Sequence, residues 1–310
     1  RTRIMTQHMG SRTMPDFFGL RYDSPALRIA ASVIVFIFLI PYTASLYNGL
    51  SSLFALAFDI DYYWVIIIMA ALTGIYVVLG GYLSAAINNA VQAIVMIFGI
   101  VAVVLAVLSA NGGLSEAIAT LSAKTAELDS GSTVKSAYTS LCGPQPLSLL
   151  TVIILTSFGT WGLPQMVSKF YSIKSESMIN KGAIISTVFA IIIAGGCYFL
   201  GGFGRLYDIN VAEVGFDAII PTMLMSLKSN TIIALVILLV LAASMSTLAS
   251  LSLSSSSTLT LDMIVPLKKK KQLTERGKVS AMRLFVVFFI IVSAAVAIIK
   301  DMFGFTFIAQ

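Results

Sequence analysis

Apolar positions in this chain neither alternate with polar ones nor form narrow helical stripes. They come in long runs, separated by short polar or Gly/Pro-marked breaks. Seven runs come close to or exceed the roughly 20 residues that cross a bilayer's hydrocarbon: 29–57, 62–79, 83–108, 147–167, 183–200, 231–264 and 279–299. Backbone groups in lipid must hydrogen-bond within their own segment, so each run predicts a helix and the fold class is an all-α membrane protein. The third and sixth runs are long enough to tilt or to extend past the bilayer. Pro41 sits inside the first run, where its missing N–H frees a carbonyl and predicts a kink. Gly80 and Gly81 predict a tight turn between the second and third runs. Ser157, Gly159, Thr160, Trp161, Gly162 and Pro164 interrupt the fourth, the pattern of a helix broken where it lines a cavity.

The sixth run departs from its apolar pattern in its second half. Residues 242–262 read AASMSTLASLSLSSSSTLTLD, and 244–260 hold eleven hydroxyl side chains. Ser246, Ser250, Ser254 and Ser257 recur at helical spacing on one face, with Ser244 and Thr247 beside it. Two readings fit. One is close packing of small residues against neighbouring helices, the serines bonding back to the preceding turn. The other is a wall of neutral oxygens for a weakly hydrated monovalent cation.

Composition and charge sharpen the picture. The chain is 58% hydrophobic and 11% charged, far from soluble usage. With the N-terminal segment placed in the cytoplasm, fifteen of the twenty Lys and Arg residues fall inside and five outside (Lys124, Lys135, Arg205, Lys228 and Lys300). The net charge of +6 therefore reports topology rather than nucleic acid binding, for which no basic-aromatic platform exists. The chain then divides into a basic cytoplasmic loop or surface helix (1–28), three spans (29–110), a long outer loop (111–146) and three spans (147–265) that enclose a second outer loop (201–230). A basic cytoplasmic linker (266–278) and a last span (279–310) follow. The linker's charges suit anionic lipid headgroups. Asp262 closes the sixth run and is expected to face that linker. Cys142 in the outer loop and Cys197 in the fifth span lie at different depths, so no disulfide is expected. One histidine, His8, and no Cys or carboxylate cluster argue against a zinc or iron site. No signal peptide is visible. The chain opens without Met and stops shortly after a span, which reads as an interior fragment of a longer protein.

Four segments together resemble the sodium/solute symporter family, which moves proline, pantothenate, sialic acid and sugars. They are TMPDFFGLRY at 13–22, IYVVLGGYLSAAINNAVQ at 75–92, GTWGLPQMVSKF at 159–170 and the hydroxyl-rich 242–262. The resemblance implies a leucine-transporter-like inverted repeat in which the seven spans are core helices three to nine. It implies that the Ala243 carbonyl and the Ser246 and Thr247 hydroxyls bind the coupling sodium, with the other ligands on a first core helix outside these residues. A second sodium site in part of the family uses a helix-five carboxylate. Asn89 stands there, Ala249 replaces a hydroxyl and Ser250 is retained, so one sodium per cycle is expected. An interhelical hydrogen bond accounts for Asn89 equally well. Ala190 and Pro41 stand where the sugar branch carries Lys and Asn, which argues against a sugar.

Ser157, Thr160, Trp161 and Gln165 are expected to line the solute cavity, whose modest polarity suits a small amino acid such as proline or a small carboxylate. The functional expectation is sodium-coupled symport of a small organic solute across the plasma membrane. Two other readings stay open: a transporter-like sensing module of a signalling protein, and a fragment inactive without the first core helix. An enzyme is not expected, because no nucleophile–base constellation or paired carboxylate occurs within the spans.

Overall fold

In the computed structural model the chain is almost entirely helical, and residues 2–127, 133–173, 175–207, 209–210, 219–227, 229–267 and 274–303 are described. The basic run 268–271, the outer-loop acids Asp208, Glu213 and Asp217, and the last seven residues lie outside the described residues. The helices are α1 (Thr2–Met9), α2 (Met14–Arg21), α3 (Pro25–Phe58), α4 (Tyr62–Ala110), α5 (Leu114–Ala123), α6 (Pro146–Trp161), α7 (Pro164–Tyr171), α8 (Ser177–Phe203), α9 (Ile219–Met225), α10 (Asn230–Thr258) and α11 (Glu275–Phe303). A π-helical turn, Leu259–Ile264, continues α10.

Five helices are long and apolar enough to cross a membrane, six when α6 and α7 count as one broken span. The sequence predicts seven, and the difference lies in α4. The expected runs 62–79 and 83–108 fall within this single 49-residue helix. At 1.5 Å per residue it would be about 73 Å long, more than twice the ~30 Å of hydrocarbon. Its helical geometry breaks at Gly81, with φ 59° and ψ −155°, a conformation open to glycine alone. Val77 and Ala85, four residues to either side, pack in one cluster with Ala249, Val286 and Ile290, so the backbone bends there.

The basic N-terminal segment is two short helices. Thr13 caps α2, its hydroxyl accepting from the Asp16 N–H at 3.1 Å, and Ser24 caps α3 in the same way from Leu27 at 3.3 Å. Pro25 opens α3 at a position where no N–H is needed. Pro41 lies inside α3 and cannot donate to the carbonyl of Ile37. The outer loop carries more structure than its sequence predicts. It holds α5 and a two-stranded antiparallel hairpin, β1 (Thr125–Glu127) and β2 (Thr133–Lys135). These strands are the one departure from an all-α chain among the described residues.

The chain forms two compact units. The first comprises Arg1–Ala93, Leu163–Ala183 and Leu241–Gln310. Its core joins α3, α10 and α11 through buried Leu39, Leu251 and Phe289, with Phe36 stacked on Phe288 at 6.1 Å. The second comprises Ile94–Gly162 and Ile184–Val240. There Gly196 of α8 lies so close to α4 that a Cβ would come within 2.7 Å of Ile100. Arg205 sits over the Tyr138 ring at 4.3 Å, and Lys124 donates to the Arg205 carbonyl at 2.7 Å. Cys142 and Cys197 are free thiols.

Candidate ion and solute site

The hydroxyl-rich half of α10 lies in the first unit. Thr247 Oγ1 donates to the Ala243 carbonyl at 3.0 Å, and Ser250 Oγ to the Ser246 carbonyl at 2.9 Å. Ser252, Ser256 and Ser257 bond back to Leu248, Leu253 and Ser254 in the same way, as the packing alternative expects. Back-bonding uses only the hydroxyl proton. Both lone pairs of Thr247 Oγ1 remain available to a cation, while the Ala243 carbonyl accepts from the Thr247 hydroxyl and, within the helix, from the Thr247 N–H. Ser246 is half-buried, and its hydroxyl has no hydrogen-bond partner among the described residues. Ala243, Ser246 and Thr247 thus supply three oxygens within one turn of helix.

Two contacts that the sequence does not announce tie this helix to its neighbours. Tyr76 Oη donates to the Met245 carbonyl at 2.8 Å, one residue before Ser246. At the far end, Asp262 is fully buried rather than turned toward the basic linker as expected. Its carboxylate accepts from Arg28 at 2.9 and 3.1 Å and from Thr13 Oγ1 at 2.5 Å. Arg28 also donates to the Leu261 carbonyl at 3.1 Å and pairs with Asp16 at 3.1 Å. The physical reason for the correction is desolvation: a carboxylate at the end of an apolar helix is buried only where a counter-charge and donors meet it. The 13–22 segment supplies Thr13 and Asp16, and the first turn of α3 supplies Arg28. Two other sequence motifs, 13–22 and 75–92, therefore meet the hydroxyl-rich 242–262.

The solute candidates separate. Ser157, Thr160 and Trp161 end α6 in the second unit and are exposed; Trp161 touches Phe158 edge-on at 5.6 Å and Thr160 bonds to the Ser157 carbonyl. Gln165 belongs to the first unit, on α7, and is 4% exposed with no partner for its Oε1 among the described residues. It lines a cavity of about 720 Å³ together with Asn89, Ser250, Ser254, Ser257 and Lys169. Asn89 and Ser250, expected at a second ion position, therefore share this cavity. Lys169 escaped sequence reading, although it follows Gln165 by one helical turn; Ser254 belongs to the serine face read from the sequence.

Comparison with known proteins decides the family. The family model described as the sodium:solute symporter family matches residues 3–307. The chain belongs to the sodium:solute symporter family. It is 27% identical over 202 residues to the sodium/pantothenate symporter of Escherichia coli (strain K12), covering 65% of this chain and 41% of that protein. It is 30% identical over 188 residues to the sodium/proline symporter of Staphylococcus aureus, covering 58% and 34%. A substrate-bound, outward-open structure of a Na+-coupled sialic acid symporter superposes with a TM-score of 0.70 at 18% identity, covering 96% of this chain and 61% of that one. This family member thus shares the fold of that symporter and is a multi-pass membrane protein whose relatives are transporters rather than enzymes. Its matched region spans about two-fifths or less of the length of these curated relatives.

Proposed function

We propose that this family member carries the helix-eight half of a sodium site and works, within its whole protein, as a sodium-coupled symporter of a small organic solute. The observation that carries this is the cluster on α10. The Ala243 carbonyl and Thr247 hydroxyl lie 3.0 Å apart, and the Ser246 hydroxyl beside them has no partner among the described residues. Neutral oxygens suit sodium, which needs ligands but little counter-charge. Further ligands come from a segment outside these residues.

Asn89 offers no negative charge and Ala249 no oxygen, so one sodium moves per cycle, with Asn89 and Ser250 a remnant of a second position. The solute is an amino acid such as proline, or a small carboxylate, as the names of the matched relatives suggest. Gln165 faces the solute in the first unit, and Ser157, Thr160 and Trp161 keep the same expected role within the second. The protein sits in the plasma membrane with this chain's N-terminal segment in the cytoplasm, in keeping with the fifteen-to-five split of basic residues. Counting α4 as two spans that meet at Gly81, and α6 with α7 as one, gives seven spans, core helices three to nine of the inverted repeat.

Coupling requires that sodium and solute favour the same conformer. Equilibrium binding of radiolabelled proline and pantothenate to the purified full-length protein tests this. Sodium should tighten solute binding, and the solute should tighten sodium binding by the same factor. Binding of either solute with no dependence on sodium would refute coupling.

A further inference from the structure

Tyr76 belongs to the 75–92 motif and reaches the turn of α10 that holds the sodium candidates. It stands on the first half of α4, little more than a turn before the break at Gly81. Its ring packs against the cluster of Val77, Ala85, Ala249, Val286 and Ile290, and its Oη donates to the Met245 carbonyl at 2.8 Å. A carbonyl can only accept, so the proton of this bond belongs to the phenol. The same carbonyl accepts from the Ala249 N–H within the helix, and its two lone pairs accommodate both donors. Among the described residues, this is the one hydrogen bond that joins residues 243–247 to another helix. It arrives on the packed side of α10. Met245 shares that side with Ala242, Leu248 and Ala249, which are buried, whereas Ala243, Ser246, Thr247 and Ser250 are half-buried on the other side. The ligands that complete the ion site come to the half-buried side, so the contact does not depend on what covers that side.

Ser246 depends on that contact more than its neighbours do. Thr247 and Ser250 fix their hydroxyls by bonding back to the carbonyls of Ala243 and Ser246, but the Ser246 hydroxyl makes no such bond among the described residues. Its place is set by its backbone alone, and the peptide that carries its nitrogen is the one whose carbonyl Tyr76 holds. Ion ligands must be kept within about 0.5 Å of the productive geometry, and removing a group that orients them typically changes affinity about ten- to a hundredfold. We propose that Tyr76 is a positioning residue for the sodium site: its hydroxyl holds the Met245–Ser246 peptide and thereby aims Ser246 Oγ at the ion, without touching the ion itself. The proposal rests on the symport reading and adds to it a residue outside α10 that sets sodium affinity. It also gives the packing of α4 against α10 a part in the coupling, because that packing is what presents Tyr76.

Equilibrium binding of radiolabelled sodium to the purified full-length protein, without solute, tests this. Tyr76→Phe keeps the ring and removes only the hydroxyl. The Met245 carbonyl keeps its helical donor, so no buried group is left unpaired. The dissociation constant for sodium should rise about tenfold, while the number of sites per protein and the melting temperature in sodium-free buffer stay at their wild-type values. Tyr47→Phe is the control. Tyr47 is fully buried on α3 and its Oη has no partner among the described residues, so losing that hydroxyl should leave sodium affinity unchanged. Because Tyr76 acts through Ser246, Tyr76→Phe should add nothing to the loss already present in Ser246→Ala. Wild-type affinity in Tyr76→Phe, an equal loss in Tyr47→Phe, or additive losses in the double variant would each overturn the proposal. So would a Tyr76→Phe protein that fails to fold or loses sites at unchanged affinity, because the hydroxyl would then serve stability alone. A wild-type protein that binds no sodium would instead remove the symport reading, so the two failures are distinguishable.

Discussion

Thr247 and Ser246 differ in how they use their protons, and this yields a residue-scale prediction. Thr247→Ala removes a hydroxyl that already bonds to Ala243, and Ser246→Ala removes one that has no partner among the described residues. Both changes should weaken sodium activation of uptake at least tenfold, and Thr247→Ser should retain it, read as the half-saturating sodium concentration. If the serine face only packs, all three variants should show the wild-type value. The buried ion pair makes a second prediction. Arg28→Met leaves Asp262 fully buried with no counter-charge among the described residues, which costs about 3–5 kcal/mol, whereas Arg28→Met combined with Asp262→Asn removes the charge as well. The double variant should therefore be more stable in detergent than Arg28→Met alone, and additive losses of melting temperature would contradict the pairing. The serine face and Gln165 are legible in the sequence because helical spacing and side-chain type suffice. The Arg28–Asp262 pair is not, since its members stand 234 residues apart and nothing local names the partner.

At the scale of elements, the long helices are legible because lipid allows little else: a run of about 20 apolar residues must pair its own backbone. The β1–β2 hairpin and the helices α1 and α2 carry no such constraint. They are short, and Thr125, Thr133 and Lys135 of the strands are exposed, which leaves no hydrophobic period to read. The break at Gly81 is visible as a Gly-Gly pair. Gly81→Ala forces a side chain into φ 59°, ψ −155°, and should cost about 1–3 kcal/mol, seen as a lower melting temperature. A Cβ at Gly81 would meet no atom within 4 Å, so the loss reports the backbone conformation and not a clash. In the second unit, Gly196→Leu should be more damaging than Gly195→Leu, by about 1–3 kcal/mol, because only the first meets Ile100. Equal losses would contradict the close approach of α8 to α4.

At the scale of the molecule, the division into two units cuts across the sequence order. Residues 163–183 join the first unit while their sequence neighbours on both sides belong to the second. Hydropathy cannot predict that, because it reports where helices are and not which ones pack together. The family is readable at this scale through the ordered motifs, and the family match over residues 3–307 bears that out. A moving sodium carries one charge, and the membrane potential supplies about 2.3 kcal/mol per charge per 100 mV, enough for substantial accumulation from one ion. The decisive measurement is uptake of radiolabelled proline and pantothenate by the full-length protein in proteoliposomes, with an imposed inward sodium gradient or with choline in its place. Accumulation above equilibrium with sodium only, lost in Ser246→Ala and Thr247→Ala, is the predicted result. Accumulation that persists in choline, or that both variants retain with unchanged sodium dependence, would contradict it.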